Sequence, residues 1–214
     1  MLTIHAAALL LPGGGRAPVP GGAVAVRDAS VEAFGPYGEL AAAHPGARVR
    51  RWPGVLTPGL VQRDAVRLLD EWYFPDPREA DALGTEPLTG AALDALGPEE
   101  TWRAGSVRRG LHRMLRHGTT AVTAVPGTPP ALLTAVRRSG LTVLGASSAR
   151  SGGPRLDPLA GAGAVGEATA APLAAGGRAD LAAFDAPDEA ALLAAGAASC
   201  VATIAGGRLV YRGR

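Results

Sequence analysis

Apolar positions along the chain alternate between two rhythms, and the changes of rhythm mark its elements. Residues 2–11 form a nearly unbroken apolar run closed by Pro12-Gly13-Gly14-Gly15, which predicts a strand followed by a Pro/Gly loop reaching Gly22. Two short apolar runs, 23–27 and 30–34, flank Asp28-Ala29 at the spacing of a tight hairpin. Pro36 opens a short helix over 37–43, ended by His44-Pro45-Gly46. Residues 48–52 extend into Pro53-Gly54-Val55-Leu56-Thr57-Pro58-Gly59-Leu60-Val61, in which prolines and glycines bracket an apolar core; this predicts a sharp turn and then a buried strand.

Helical periodicity follows over 64–72, and the aromatic triplet Trp72-Tyr73-Phe74 precedes Pro75-Asp76-Pro77. Residues 78–97 are polar and weakly patterned, expected as a loop with one short helical piece. Pro98-Glu99-Glu100 is a strong helix start, and Val107, Leu111, Met114 and Leu115 trace one apolar stripe as far as Gly118, the expected residue just past the helix end. Residues 119–125 are β-branched and apolar, as in a strand covered on both faces. A helix over 129–139 and a strand over 141–145 complete a strand–helix–strand order that predicts parallel pairing. The Gly/Ala/Pro-rich stretch 149–177 reads as a linker or loosely packed loop. A short helix over 188–195 and a hairpin, 199–205 with 208–211 across Gly206-Gly207, end the sequence.

Three phrases carry a resemblance. The junction Pro53–Val61, the helix-Gly118-Thr119-Thr120 step and the run Gly177-Arg178-Ala179-Asp180-Leu181-Ala182-Ala183-Phe184-Asp185 resemble the amidohydrolase superfamily, especially its imidazolonepropionase-like and aminodeoxyfutalosine-deaminase-like members. The resemblance implies an α/β protein: a small β-sandwich built from both termini (1–57 and 176–214) around a truncated (β/α) barrel (58–175) of about three parallel strands. A complete barrel of this kind takes about 250 residues, and the space here holds roughly half. In that family the junction runs into His-x-His, the first two ligands of a catalytic metal; the corresponding positions here are Asp64 and Val66.

Composition narrows the picture in few places. All 21 basic residues are arginine and the net charge is +2. The arginines are scattered, so nucleic acid is not expected as a partner. Aromatics are scarce at 4%, which leaves Ala, Leu and Val to fill the core. The single cysteine, Cys200, excludes an internal disulfide, lies in an apolar strand pattern and fits a reducing compartment. The start lacks a basic leader and its apolar run is too short to span a bilayer, so the expectation is a cytoplasmic protein with no membrane partner.

Candidate chemistry is thin. Hydrolytic metal sites need three or more converging ligands. The four histidines, His5, His44, His112 and His117, show neither H-x-H nor H-x-x-x-H spacing. There is no G-x-S-x-G nucleophile motif, Ser147-Ser148 lacks a base, and Gly13-Gly14-Gly15 precedes no helix. No catalytic or metal-binding residue is therefore assigned.

One cluster stands at the end of the first barrel-like strand, where ligands sit on such sheets: Gln62, Asp64, Asp70, Glu71, Trp72 and Tyr73, with Thr123 or Val125 from the next strand. It reads either as a ligand pocket or as aromatic cover for the opened side of a shortened barrel. The expectation is a degenerate, non-catalytic relative acting as a structural, ligand-binding or partner-binding protein. A shortened sheet leaves an edge for self-association or a protein partner. The alternative is a zinc- or iron-dependent hydrolase of cyclic C–N bonds whose ligands are completed by another chain.

Overall fold

The structure is a computed structural model and describes residues 1–146 and 152–213; part of the expected 149–177 linker, and Ser147-Ser148, lie outside the described residues. The chain divides into two compact units: residues 1–61, 115–121 and 157–214, and residues 62–114 with 122–156.

The first unit is built on one large sheet. Its strands are β1 (Leu2–Leu10), β2 (Val19–Pro20), β3 (Gly22–Arg27), β4 (Ser30–Pro36), β5 (Arg48–Pro58), then β11 (Leu181–Phe184), β12 (Cys200–Ala205) and β13 (Arg208–Arg212), in the order β13-β12-β11-β5-β1-β3-β4 with β2 also on β1. The termini therefore build this sheet together, as the sequence suggested. β1 runs parallel to β5 and antiparallel to β3, while β11 joins β5 antiparallel.

The two layers of the expected sandwich are two halves of this one rolled sheet. Residues 176–180 lace its far ends together: Val31 N–H donates to the Gly177 carbonyl, Ala179 N–H to Ala29, and Gly207 N–H to Ala179, each at 2.8 Å. Leu10, Val24, Val26, Trp52, Leu56, Leu181 and Ile204 fill the interior of the roll. On its outer face, α1 (Tyr37–Ala43) seats Leu40 against Ile4, Ala6, Ala23 and Ala25.

The sharp turn expected at Pro53-Gly54 is absent. β5 runs straight through, because the register shifts between Ala7 and Leu9 while their partners step from Trp52 to Val55. Two residues thus oppose Ala8, a bulge that accommodates a proline with no N–H to donate. Gly54 adopts φ +62° there and lies against the Phe184 and Ala186 carbonyls, where a side chain would not fit.

The stretch expected to be loosely packed is packed. Leu159, Val165 and Ala168 join Leu11, Val55, Leu60, Phe184, Leu192 and Cys200 in a second core, and Leu173 enters the first. Its composition misled because three buried aliphatics, spaced by Gly and Ala, show no period. The helix α7 (Glu189–Ala195) covers this core with Leu192 and is capped by the Asp188 carboxylate, which accepts from Ala191 N–H at 2.8 Å.

β6 (Leu60–Gln62), β9 (Thr119–Ala124) and β10 (Thr142–Gly145) form a three-stranded sheet with β9 in the middle, the three barrel-like strands expected; among the described residues it does not close. The second unit adds α2 (Ala65–Glu71), β7 (Trp72–Tyr73), α3 (Ala80–Leu83), β8 (Leu88–Thr89), α4 (Ala91–Leu96), α5 (Glu100–Leu115) and α6 (Pro130–Arg138). The loop expected over 78–97 is thus a series of short elements. A 3-10 turn, Pro77–Glu79, starts it with a capping box: Asp76 Oδ1 accepts from Arg78 N–H and Glu79 Oε2 from Asp76 N–H. These pieces are too short to show periodicity; Leu93 is the one residue α4 buries. Gly110 of α5 admits Leu69 and Phe74 so closely that a side chain there would displace both.

Among the described residues, no helix is long and apolar enough to cross a membrane.

Candidate functional site

The chain leaves β6 through Gln62 and enters α2 at Asp64. Both side chains are buried, and both are spoken for by backbone. The Gln62 amide oxygen accepts from Asp64 N–H at 2.9 Å, while its Nε2 donates to the Leu156 carbonyl at 2.8 Å. Asp64 Oδ2 accepts from Arg155 N–H at 3.2 Å. Together they clamp residues 155–156 against the start of α2. Thr123 Oγ1 donates to the Arg63 carbonyl at 2.9 Å, fixing the same turn from β9. Three of the expected ligand-binding residues therefore do structural work around one backbone turn.

Tyr73 points elsewhere. Its ring is buried and its hydroxyl bonds both Glu79 oxygens at 3.0 and 3.1 Å. Burial, followed by the hydrogen bond to Glu79, raises its phenol above the ordinary range. Phe74 N–H donates to Ser106 Oγ at 2.8 Å and the Phe74 carbonyl accepts from Arg109 Nε at 2.7 Å, so the aromatic triplet is pinned to α5.

Asp70, Glu71 and Trp72 do come together. With Thr89, Gly90, Leu93, Asp94, Arg103 and Pro154 they line an open groove of about 660 Å³. Three carboxylates and one guanidinium line it, Glu71 being paired with Arg67 as well, and Trp72 is its one aromatic residue. Sequence reasoning missed the contributions of α4 and α5: Asp94 and Arg103 lie outside any recognisable motif, and only the three-dimensional course of the 88–96 segment brings them to Trp72.

The residues at the expected metal positions do not suit a metal. The Asp64 carboxylate accepts from a backbone N–H, Val66 offers no donor atom, and among the described residues no three His, Cys, Asp or Glu side chains are grouped so as to hold an ion. His5 is buried in the first unit, where burial first and Arg50 second push its imidazole down to about 4. Cys200 is buried as well, and burial pushes its thiol up to about 11, so it is held as a thiol rather than a nucleophilic thiolate.

Neither a protein-family model nor a curated protein matches the sequence. Among solved structures the chain is similar in part to several deaminases and hydrolases. An ochratoxinase from A. niger is 19% identical over 69% of this chain and 32% of its own, with a TM-score of 0.46. A guanine deaminase from Bradyrhizobium japonicum is 20% identical over 67% and 34%, with a TM-score of 0.43. An aminofutalosine deaminase from Helicobacter pylori is 14% identical over 68% and 33%, also at 0.43. The chain spans about a third of the length of each.

Proposed function

We propose that this chain is a non-catalytic, amidohydrolase-like binding protein: the frame of such an enzyme without its metal chemistry. The observation that carries the reading is the commitment of Asp64. At the point where the sequence resemblance places the first of two metal-binding histidines, this chain has a carboxylate bonded to the backbone of Arg155, followed at Val66 by an aliphatic side chain. Binding, in this reading, falls to the groove between Trp72, Gly90 and Asp94, whose carboxylates and single indole favour a small organic cation over an anion. A second chain would add at β10, which has β9 on one side only among the described residues.

The test has two readouts. Protein purified without chelators is analysed for bound metal, then loaded with zinc or iron and assayed for ammonia release from guanine, adenosine and aminofutalosine. The expected result is substoichiometric metal and no turnover. Stoichiometric zinc or iron with chelator-sensitive turnover overturns the proposal and favours a hydrolase whose ligands another chain completes.

A further inference from the structure

Three arginines gather in the first unit with no carboxylate partner among the described residues. Arg48, Arg50 and Trp52 occupy alternate positions of β5, opposite Thr3, His5 and Ala7 of β1, and so share the face that lines the interior of the rolled sheet. Trp52 is buried within that interior and Arg50 is half-buried one step closer to the strand's start. Arg212, near the end of β13, brings its guanidinium to 6.0 Å from the centre of the Trp52 ring. The basic groups therefore converge on one end of the roll from two strands.

Three exposed arginines do have a carboxylate at hand: Arg27 has Glu32, Arg67 has Glu71 and Arg178 has Asp180. Arg48, Arg50 and Arg212 have no carboxylate partner among the described residues. Burial, then the charges of Arg48 and Arg212, make the Arg50 cation less favourable than an ordinary one. A half-buried guanidinium between two like charges is an arrangement that folding alone does not favour, because each cation raises the energy of the others. A bound anion removes that cost. Three guanidiniums present more donors than one carboxylate can accept, whereas a phosphoryl group offers three oxygens and up to two charges.

We propose that Arg48, Arg50 and Arg212 form a binding site for a phosphate-bearing small molecule at the open end of the rolled sheet. The site is separate from the groove beside Trp72 and stands whether or not that groove binds a ligand.

The probe is inorganic pyrophosphate, titrated into the whole chain in chloride buffer and followed by calorimetry and thermal melting. Adenosine 5′-diphosphate and citrate are titrated in parallel at matched ionic strength. The expected result is saturable binding of pyrophosphate with a rise in Tm. Arg50→Gln weakens it at least tenfold, while Arg137→Gln on α6 leaves it unchanged. Tighter binding of the adenosine diphosphate than of pyrophosphate identifies an organic phosphate ester as the ligand; the reverse identifies the free anion. Removing Arg50 also relieves repulsion, so the unliganded variant is expected to melt no lower than the parent. Should it fail to fold, Arg48→Gln/Arg212→Gln carries the same test. No saturable binding, equal binding by Arg50→Gln and the parent, or citrate binding as tightly as pyrophosphate overturns the proposal.

Discussion

The Trp52 indole donates through Nε1 to Nδ1 of His5 at 3.1 Å, with the two ring planes 12° apart, inside the rolled sheet. A nitrogen that accepts cannot carry the proton, so the hydrogen bond fixes His5 as the neutral ring protonated at Nε2. Protonating Nδ1 would break the bond and place a cation beside Arg50.

Stability should therefore depend on this one ring at mildly acidic pH. His5 titrates near 6.5 in the unfolded chain and at about 4 in the folded one. Between those values the unfolded state binds more protons, so stability rises with pH across the window, is fully present above 6.5 and is lost as pH falls towards 4. The difference amounts to about 3 kcal/mol. Urea unfolding measured from pH 4 to 7 should show this slope in the parent and a flatter one in His5→Gln. Parallel curves would show that other groups govern acid sensitivity.

Thr119 and Thr203 are both buried threonines and should respond oppositely to the same change. Thr203 Oγ1 donates to the Leu115 carbonyl at 2.6 Å, whereas Thr119 Oγ1 is buried without a partner. Valine preserves the shape of either. Thr203→Val removes that bond, leaving the Leu115 carbonyl only its contact with Gly118 N–H, and should cost about 1 kcal/mol; Thr119→Val removes a desolvated hydroxyl and should be neutral or stabilising by about 1 kcal/mol. Denaturant midpoints of the two variants, compared at equal slope, decide the sign.

Gly59 is a matter of space rather than backbone freedom. A Cβ there would run into the Thr120 side chain, down to its Cβ at 2.7 Å, while Gly59 N–H donates to the Asp180 carbonyl at 2.9 Å. Gly59→Ala should cost about 2–3 kcal/mol by overpacking. Adding Thr120→Ala removes the nearer atoms, so the double variant should be at least about 1 kcal/mol more stable than the two single costs predict when added. Strict additivity would place the strain elsewhere.

Much of this architecture was legible because it rests on local signals. Asp28-Ala29 and Gly206-Gly207 set two hairpins, and Gly118, at φ +72°, ends α5 where its apolar stripe stops. The junction of termini in one sheet came from phrases, not periodicity. What escaped was long-range or short-lived. The bulge at Pro53-Gly54 exists because Ala8 lies across from it. Leu159, Val165 and Leu173 look like linker residues until Phe184 and Trp52 surround them. The groove was half visible: Asp70, Glu71 and Trp72 are adjacent in sequence, but Asp94 lies on a helix too short to leave a periodic trace, and nothing local shows that Arg103 of α5 meets them.

The assignment of Asp64 can be tested without knowing any ligand. If its role is to accept from Arg155 N–H, the interaction needs an oxygen in place and not a charge. Asp64→Asn supplies that oxygen and should lose less than about 1 kcal/mol, while Asp64→Ala leaves the N–H unmatched and should lose about 1–3 kcal/mol. Gln62→Leu should cost more than either, because it removes an acceptor for Asp64 N–H and a donor to Leu156 together. A metal ligand or a proton-transferring carboxylate predicts another order: Asp64→Asn would then abolish metal uptake or activity as completely as Asp64→Ala. Measuring unfolding and metal content on the same three variants separates the two roles, since only a backbone clamp lets the amide stand in for the acid.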